Sequence, residues 1–202
     1  MTASEREPEI SGLPPSYPSA ALAGLDATEV RTAWIDFYDT QYHRVVRFVM
    51  HNGACLQEAQ DAVQEAFTES WAMMDSQPDR WLAVTSKEAW IRAVALRRYR
   101  RPPGPRIRPR LAEGAAIPDL PHLGPGPDEL TTQTQTVLEA LRSLDEQARA
   151  VMAFYLDDFP TATIADTLDI TEQRVRDVKK KARAALKTAL AGYLSNGGRQ
   201  SR

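Results

Sequence analysis

The chain has 202 residues, of which 25 are Lys or Arg and 27 are Asp or Glu, and it holds one cysteine. That length fits one or two domains of roughly 100–200 residues each, and the single Cys55 excludes an intramolecular disulfide. No run of about 18 apolar residues is present to span a membrane, and the polar, proline-bearing start lacks the charged-then-apolar order of a signal peptide, so a cytoplasmic protein without membrane insertion is expected.

The near-neutral total hides a segregation of charge. Eight arginines and no acid lie between Arg92 and Arg110, whereas Glu58, Asp61, Glu65, Glu69 and Asp75 follow one another without an intervening base. Such asymmetry points to separate surfaces with separate partners.

In chain order, residues 1–25 read as a disordered tail, because Pro8, Pro14, Pro15 and Pro18 deny it a helix and its apolar residues show no period. Residues 26–101 read as a first helical domain with three helices. Asp26 or Thr28 caps the first, which carries Val30, Trp34, Phe37, Tyr38, Val45, Phe48 and Val49 and stops near Asn52-Gly53. The second runs from about Leu56 to Asp75, with Ala59, Ala62, Val63, Ala66, Phe67, Ser70, Trp71 and Met74 forming one apolar stripe. Asp61, Gln64, Glu65, Thr68 and Glu69 fall on the opposite face. The third begins at "TSKE", where Thr85 and Glu88 suit a capping box, passes through Trp90, Ile91 and Val94, and ends in arginines before Pro102-Pro103.

Residues 102–128 are a proline-rich linker with eight prolines. Residues 129–194 read as a second helical domain, and 195–202 as a tail. Asp128 caps a helix through Val137, Leu138 and Leu141, and Asp145 caps another through Val151, Met152, Phe154, Tyr155 and Leu156. "PTATIADTLD" and the segment from Ile170 onward follow, joined by the short turn "LDIT", a helix-turn-helix pattern. The whole is therefore expected to be all-α: two small helical domains joined by a linker.

The last helix carries the sharpest signal. Val175, Val178, Ala182, Ala185 and Leu186 share one side and suit packing on Ile164, Ala165 and Leu168. The remaining positions include Gln173, Arg174, Arg176, Asp177, Lys180, Lys181, Arg183 and Lys187. A helix so placed enters the major groove with its first turns against base edges. Gln173 suits adenine, Arg176 and Lys180 suit guanine, and Asp177 suits the cytosine amino group. Lys181, Arg183 and Lys187 are better placed for phosphates, which set affinity rather than sequence.

No catalytic site is expected. Asp61, Glu65 and Glu69 share a helix face, but no second element converges on them as metal-assisted phosphodiester chemistry requires. His51 and Cys55 stand at helical spacing, yet a zinc site usually takes three or four protein ligands. No metal and no cofactor is expected.

"DAVQEAFTESW", Asp61 to Trp71, resembles the "D-L-V-Q-E-x-F-x-x-x-W" signature of region 2 in bacterial sigma factors. The stretch from "LRSLDEQARAVMAFYLDDF" to "RVRDVKKKARAAL" resembles their region 4. Both lie in the family's order, covering about 35–101 and 135–190, with no room for further domains, and so the architecture is similar to the extracytoplasmic-function group of the sigma-70 family. The resemblance implies a protein that binds core RNA polymerase and directs promoter recognition. It implies docking of Asp61, Gln64 and Glu65 on the β′ clamp helices, contact of region 4 with the β flap, and an inhibitory anti-sigma partner. It also implies that Arg97, Arg98, Arg100 and Arg101 track opened promoter DNA, with Trp90 and Tyr99 as stacking candidates, although Trp90 reads better as core. The third helix departs from the family pattern at Leu96, in place of asparagine, and at Arg100, in place of aspartate, and it ends early at Pro102. Pro160, Asp169, Gln173 and Arg174 replace the usual serine, glycine, glycine and threonine of region 4. A stand-alone helix-turn-helix regulator is the alternative; it explains the basic helix and leaves the acidic motif without a role.

Overall fold

The computed structural model describes residues 27–101 and 132–197. All regular structure among them is helical: α1 (Ala27–His51), α2 (Leu56–Ser76), α3 (Pro78–Leu82), α4 (Lys87–Arg100), α5 (Thr132–Arg142), α6 (Glu146–Leu156), α7 (Thr161–Leu168) and α8 (Glu172–Gly197). The expected tail at 1–25, the expected linker at 102–128 and the proposed caps Asp26 and Asp128 lie outside the described residues. Helix α8 continues three residues beyond the boundary expected at 194.

In the N-terminal group, α1 and α4 both pack on α2. The stripe read from the sequence is the buried face of α2: Ala59, Ala62, Val63, Ala66, Phe67, Ser70, Trp71 and Met74 are all inside. Trp34 is the hub. Its ring stands 4.9 Å from Trp71 and 6.1 Å from Phe67, edge to face, and 5.7 Å from Tyr38 in a stack. Its indole N–H donates to Ser70 Oγ at 3.0 Å, and that hydroxyl donates to the Phe67 carbonyl at 2.8 Å, so the polar edge of Trp34 is satisfied, whereas the buried Trp71 Nε1 meets no acceptor among the described residues. Burial pushes the Tyr38 hydroxyl up to about 12, helped by Tyr42 and Asp39.

Local signals set the helix ends, with two corrections to the sequence expectation. Ser86, not Thr85, caps α4, accepting from Ala89 N at 3.3 Å. The reciprocal box instead opens α2. Cys55 Sγ accepts from Glu58 N, and the Glu58 carboxylate accepts from Cys55 N at 2.8 Å, which lowers the Glu58 pKa. Thiols are poor acceptors, so nothing in the usual cap list marks this position. Helix α3 is a further element, a single turn started by Pro78, whose missing N–H costs nothing at the first helical position.

In the C-terminal group, Asp145 caps α6 as expected, accepting from Ala148 N at 2.8 Å. Leu138, Leu141, Val151, Met152 and Phe154 are buried, whereas Val137 and Leu156 on the same helices are exposed. Between α6 and α7 the chain reverses through Asp158 at φ 62, a left-handed conformation that Asp tolerates better than most residues. The reversal turns the Asp157 side chain inward and brings Phe159 to 5.4 Å from Phe154.

The two groups meet along a seam. Helices α5 and α6 lie on α1, and α7 lies on α4. Phe48 meets Phe154 edge to face at 4.7 Å. Beside them Arg92, fully buried, donates from Nε to Asp157 Oδ2 at 2.7 Å, from Nη1 to Gln41 Oε1 at 3.2 Å and to the Glu88 carbonyl at 2.9 Å. Its guanidinium also lies 5.0 Å from the Phe159 ring centre. Burial lowers the Arg92 pKa, and Asp157 opposes that effect.

Candidate nucleic-acid interface

Helix α7, its turn and α8 form a helix-turn-helix. The turn is built by Asp169 at φ 53, where Ile170 N reaches back to the Ala165 carbonyl at 3.0 Å. A left-handed residue at this point ends α7 and redirects the chain, a position where glycine is easier and Asp is tolerated. Thr171 then caps α8, accepting from Arg174 N at 3.2 Å. Val175, Val178 and Ala182 are buried against Ile164 and Ala165, and Leu168, Ile170 and Leu186 are partly buried beside them. Ala185, read as part of the packed side, is exposed.

This packing leaves Gln173, Arg174, Arg176, Asp177, Lys180, Lys181, Arg183 and Lys187 all exposed. Several are held by neighbours. Arg176 pairs with Glu172 at 3.0 Å and donates to Gln173 Oε1 at 3.3 Å, while Gln173 Nε2 donates to Asp177 Oδ1 at 3.0 Å. Arg174 donates to Gln147 Oε1 of α6 at 2.9 Å, which places it at the edge of the face. The chain of bonds orders the first two turns of α8, where base-edge contacts are made in this motif. Lys179 is the exception in the basic run: its ammonium sits 4.7 Å over the Tyr155 ring. Its place next to Val178 and four positions from Val175 signals that inward lean.

On α2, Asp61 and Gln64 are exposed and Glu65 is half-buried, all on the face away from the aromatic core. Gln57 Nε2 donates to Asp61 Oδ1 at 3.3 Å. The arginines of α4 do not form one surface. Arg97 and Arg101 are exposed, Arg98 is paired with Glu69 of α2, and Arg100 is paired with Glu146 of α6 at 2.8 Å. Burial lowers the Arg100 pKa against the opposing pull of Glu146. An open cleft of about 240 Å³ lies between α2, α3 and α4, with Arg80, Trp90 and Arg97 on one side and Glu69, Met73 and Gln77 on the other. Trp90 is half-buried, its ring 6.0 Å from Trp81, so it serves both core and cleft. Sequence reasoning passed over the ion pairs of Asp157 and Glu146, whose partners are 46 or more positions distant. No local pattern carries such pairings.

Residues 140–188, about a quarter of the chain, match the family model for Sigma-70, region 4. The matched stretch runs from the end of α5 through the basic part of α8. It supports a sigma-70 family member with a DNA-binding helix-turn-helix, in a family whose region 4 serves interaction with DNA and core RNA polymerase. Comparison with curated proteins and with solved structures gave no match. Among the described residues, no helix is long and apolar enough to cross a membrane.

Proposed function

We propose that the chain is a sigma factor of the extracytoplasmic-function kind, working in the cytoplasm without chemistry of its own. It binds core RNA polymerase and directs it to promoters. The observation that carries this reading is the exposed basic face of α8 inside the Sigma-70 region 4 match, in one chain with the acidic, hydrogen-bonding face of α2. Gln173, Arg176, Asp177 and Lys180 read the upstream promoter element as duplex, and Lys181, Arg183 and Lys187 hold phosphates. Asp61, Gln64 and Glu65 dock on the β′ clamp helices, where complementary charge sets orientation and encounter rate. The C-terminal group contacts the β flap, Arg97 and Arg101 meet the downstream element at opening, and an anti-sigma protein restrains the whole.

Run-off transcription with purified core polymerase on a promoter library tests the reading. Specific transcripts that vanish with Asp61→Lys/Glu65→Lys and with Arg176→Glu/Lys180→Glu are expected. A regulator acting without polymerase is favoured by one fact, the confinement of the family match to the helix-turn-helix portion. It predicts duplex binding without co-purification of core polymerase, and that result would replace the sigma-factor reading.

A further inference from the structure

We propose that Glu172 is a positioning residue for base recognition: acting through Arg176, with Gln173 as a bridge, it sets which end of the guanidinium helix α8 offers to a guanine. The inference rests on the reading above that α8 contacts duplex DNA, and it names what aims the base-reading side chain.

The first ground is the bonding of the array. Glu172, Gln173, Arg176 and Asp177 stand at offsets of three and four and so share one face of α8. Arg176 gives Nη1 to Glu172 Oε2 at 3.0 Å and Nε to Gln173 Oε1 at 3.3 Å, and Gln173 gives Nε2 to Asp177 Oδ1 at 3.0 Å. A guanidinium carries five N–H donors in a rigid plane. Nε and one donor of Nη1 are committed within the helix. Nη2 has no partner among the described residues, and Nη1 keeps a second hydrogen. A pair of donors is thus left for the O6 and N7 of guanine.

The second ground is the backbone beneath. Thr171 accepts from Arg174 N at 3.2 Å, and Arg174 gives both Nε and Nη2 to Gln147 Oε1 of α6, at 2.9 and 2.6 Å. Val175 below is wholly buried. The first turns of α8 are therefore tied to a neighbouring helix. Arginine carries much rotamer freedom, and a rotamer already imposed by the protein leaves less to lose on binding. Later turns differ: Lys180, Lys181, Arg183 and Lys187 make no hydrogen bond or ion pair among the described residues.

The third ground is what Glu172 does not contribute. Arg176 and Glu172 are 52% and 51% exposed, and exposed pairs of this kind add little to stability. A carboxylate on a basic DNA-binding face also repels phosphate and weakens binding to every duplex alike. An acid in the first turn suits the helix dipole, but that effect does not pass through Arg176. Aiming Arg176 is the role that uses the bond.

The test starts from the full-length chain, alone and with core polymerase, selecting a preferred duplex from a random-sequence library. Fluorescence anisotropy then compares that duplex with its single-base variants. The informative base pair is the one where Arg176→Ala relaxes discrimination. There Glu172→Ala is expected to lower discrimination about fivefold while raising affinity for unrelated duplexes about twofold. Glu172→Gln removes the same charge but keeps an acceptor at the same reach, and is expected to restore part of the discrimination. In an Arg176→Ala background, Glu172→Ala is expected to change discrimination no further. Circular dichroism is expected to show the same helix content throughout. Full discrimination in Glu172→Ala overturns the proposal. So do equal losses in the alanine and glutamine variants, or an undiminished effect of Glu172→Ala in the absence of Arg176. If neither form of the chain prefers any duplex, or Arg176→Ala relaxes no position, the duplex-reading assignment of α8 falls, and the positioning role with it.

Discussion

Arg92 and Asp157, 65 positions apart, form a buried ion pair at 2.7 Å with both side chains almost wholly removed from water. Removing one member leaves the other charged, buried and unpaired, which costs about 3–5 kcal/mol. Asp157→Asn and Arg92→Met are each expected to lower the unfolding free energy, measured by guanidinium titration, by that amount. The double replacement Arg92→Met/Asp157→Leu recovers most of the loss, since apolar packing of similar volume substitutes for the pair. Additive single and double effects in a denaturation cycle would dismiss the coupling.

Ser70 is the acceptor for the Trp34 indole at 3.0 Å. Ser70→Ala strands a buried N–H and is expected to destabilise the chain by about 1–3 kcal/mol. Trp34→Phe in the alanine background removes the orphan donor and makes the combined loss smaller than the sum. A Ser70→Ala change within about 0.5 kcal/mol of the parent, the range of ordinary surface substitutions, would show that the hydroxyl is dispensable.

His51 is buried beside the seam, and burial lowers its pKa to about 4, with Asp157 pulling it up and Arg47 pushing it down. The folded pKa lies below the unfolded value of 6.5, so the unfolded state binds the proton first. The contribution is complete above pH about 6.5 and is lost as pH falls toward 4, to a total of about 3 kcal/mol. Urea midpoints measured between pH 7 and 4.5 should fall in the parent and fall less in His51→Asn. Parallel profiles would place the sensitivity elsewhere.

The face of α8 divides into two kinds of side chain. Lys181→Ala and Lys187→Ala are each expected to reduce the slope of log affinity against log salt by about 1 while weakening all duplexes alike. Arg176→Ala and Lys180→Ala are expected to relax discrimination between bases by about 1–3 kcal/mol at one position each. Fluorescence anisotropy across salt concentrations and single-base variants separates the two. An unchanged salt slope in both lysine variants would place those side chains off the phosphate backbone.

What the sequence disclosed follows from the range of each signal. The stripe on α2, the Asp145 cap and the packed side of α8 are local patterns with a period or a fixed offset, and the folded chain shows them, apart from the exposed Ala185. The exposed basic face follows directly, because burying Val175, Val178 and Ala182 dictates which positions remain outside. The one-residue slip from Thr85 to Ser86 arose because both are good caps and only the register of the buried Ile91 and Val94 chooses between them. The occupied state of Arg98 and Arg100 was beyond reading: a run of arginines looks free until the carboxylates of other helices arrive.

The edge-to-face pair of Phe48 and Phe154 has a calorimetric consequence. With rings from both groups interlocked, heat should find one cooperative unit: a single endotherm whose van't Hoff and calorimetric enthalpies agree. Detaching the halves lets each melt at its own temperature, so the shape of the endotherm reports how many independent bodies the chain comprises.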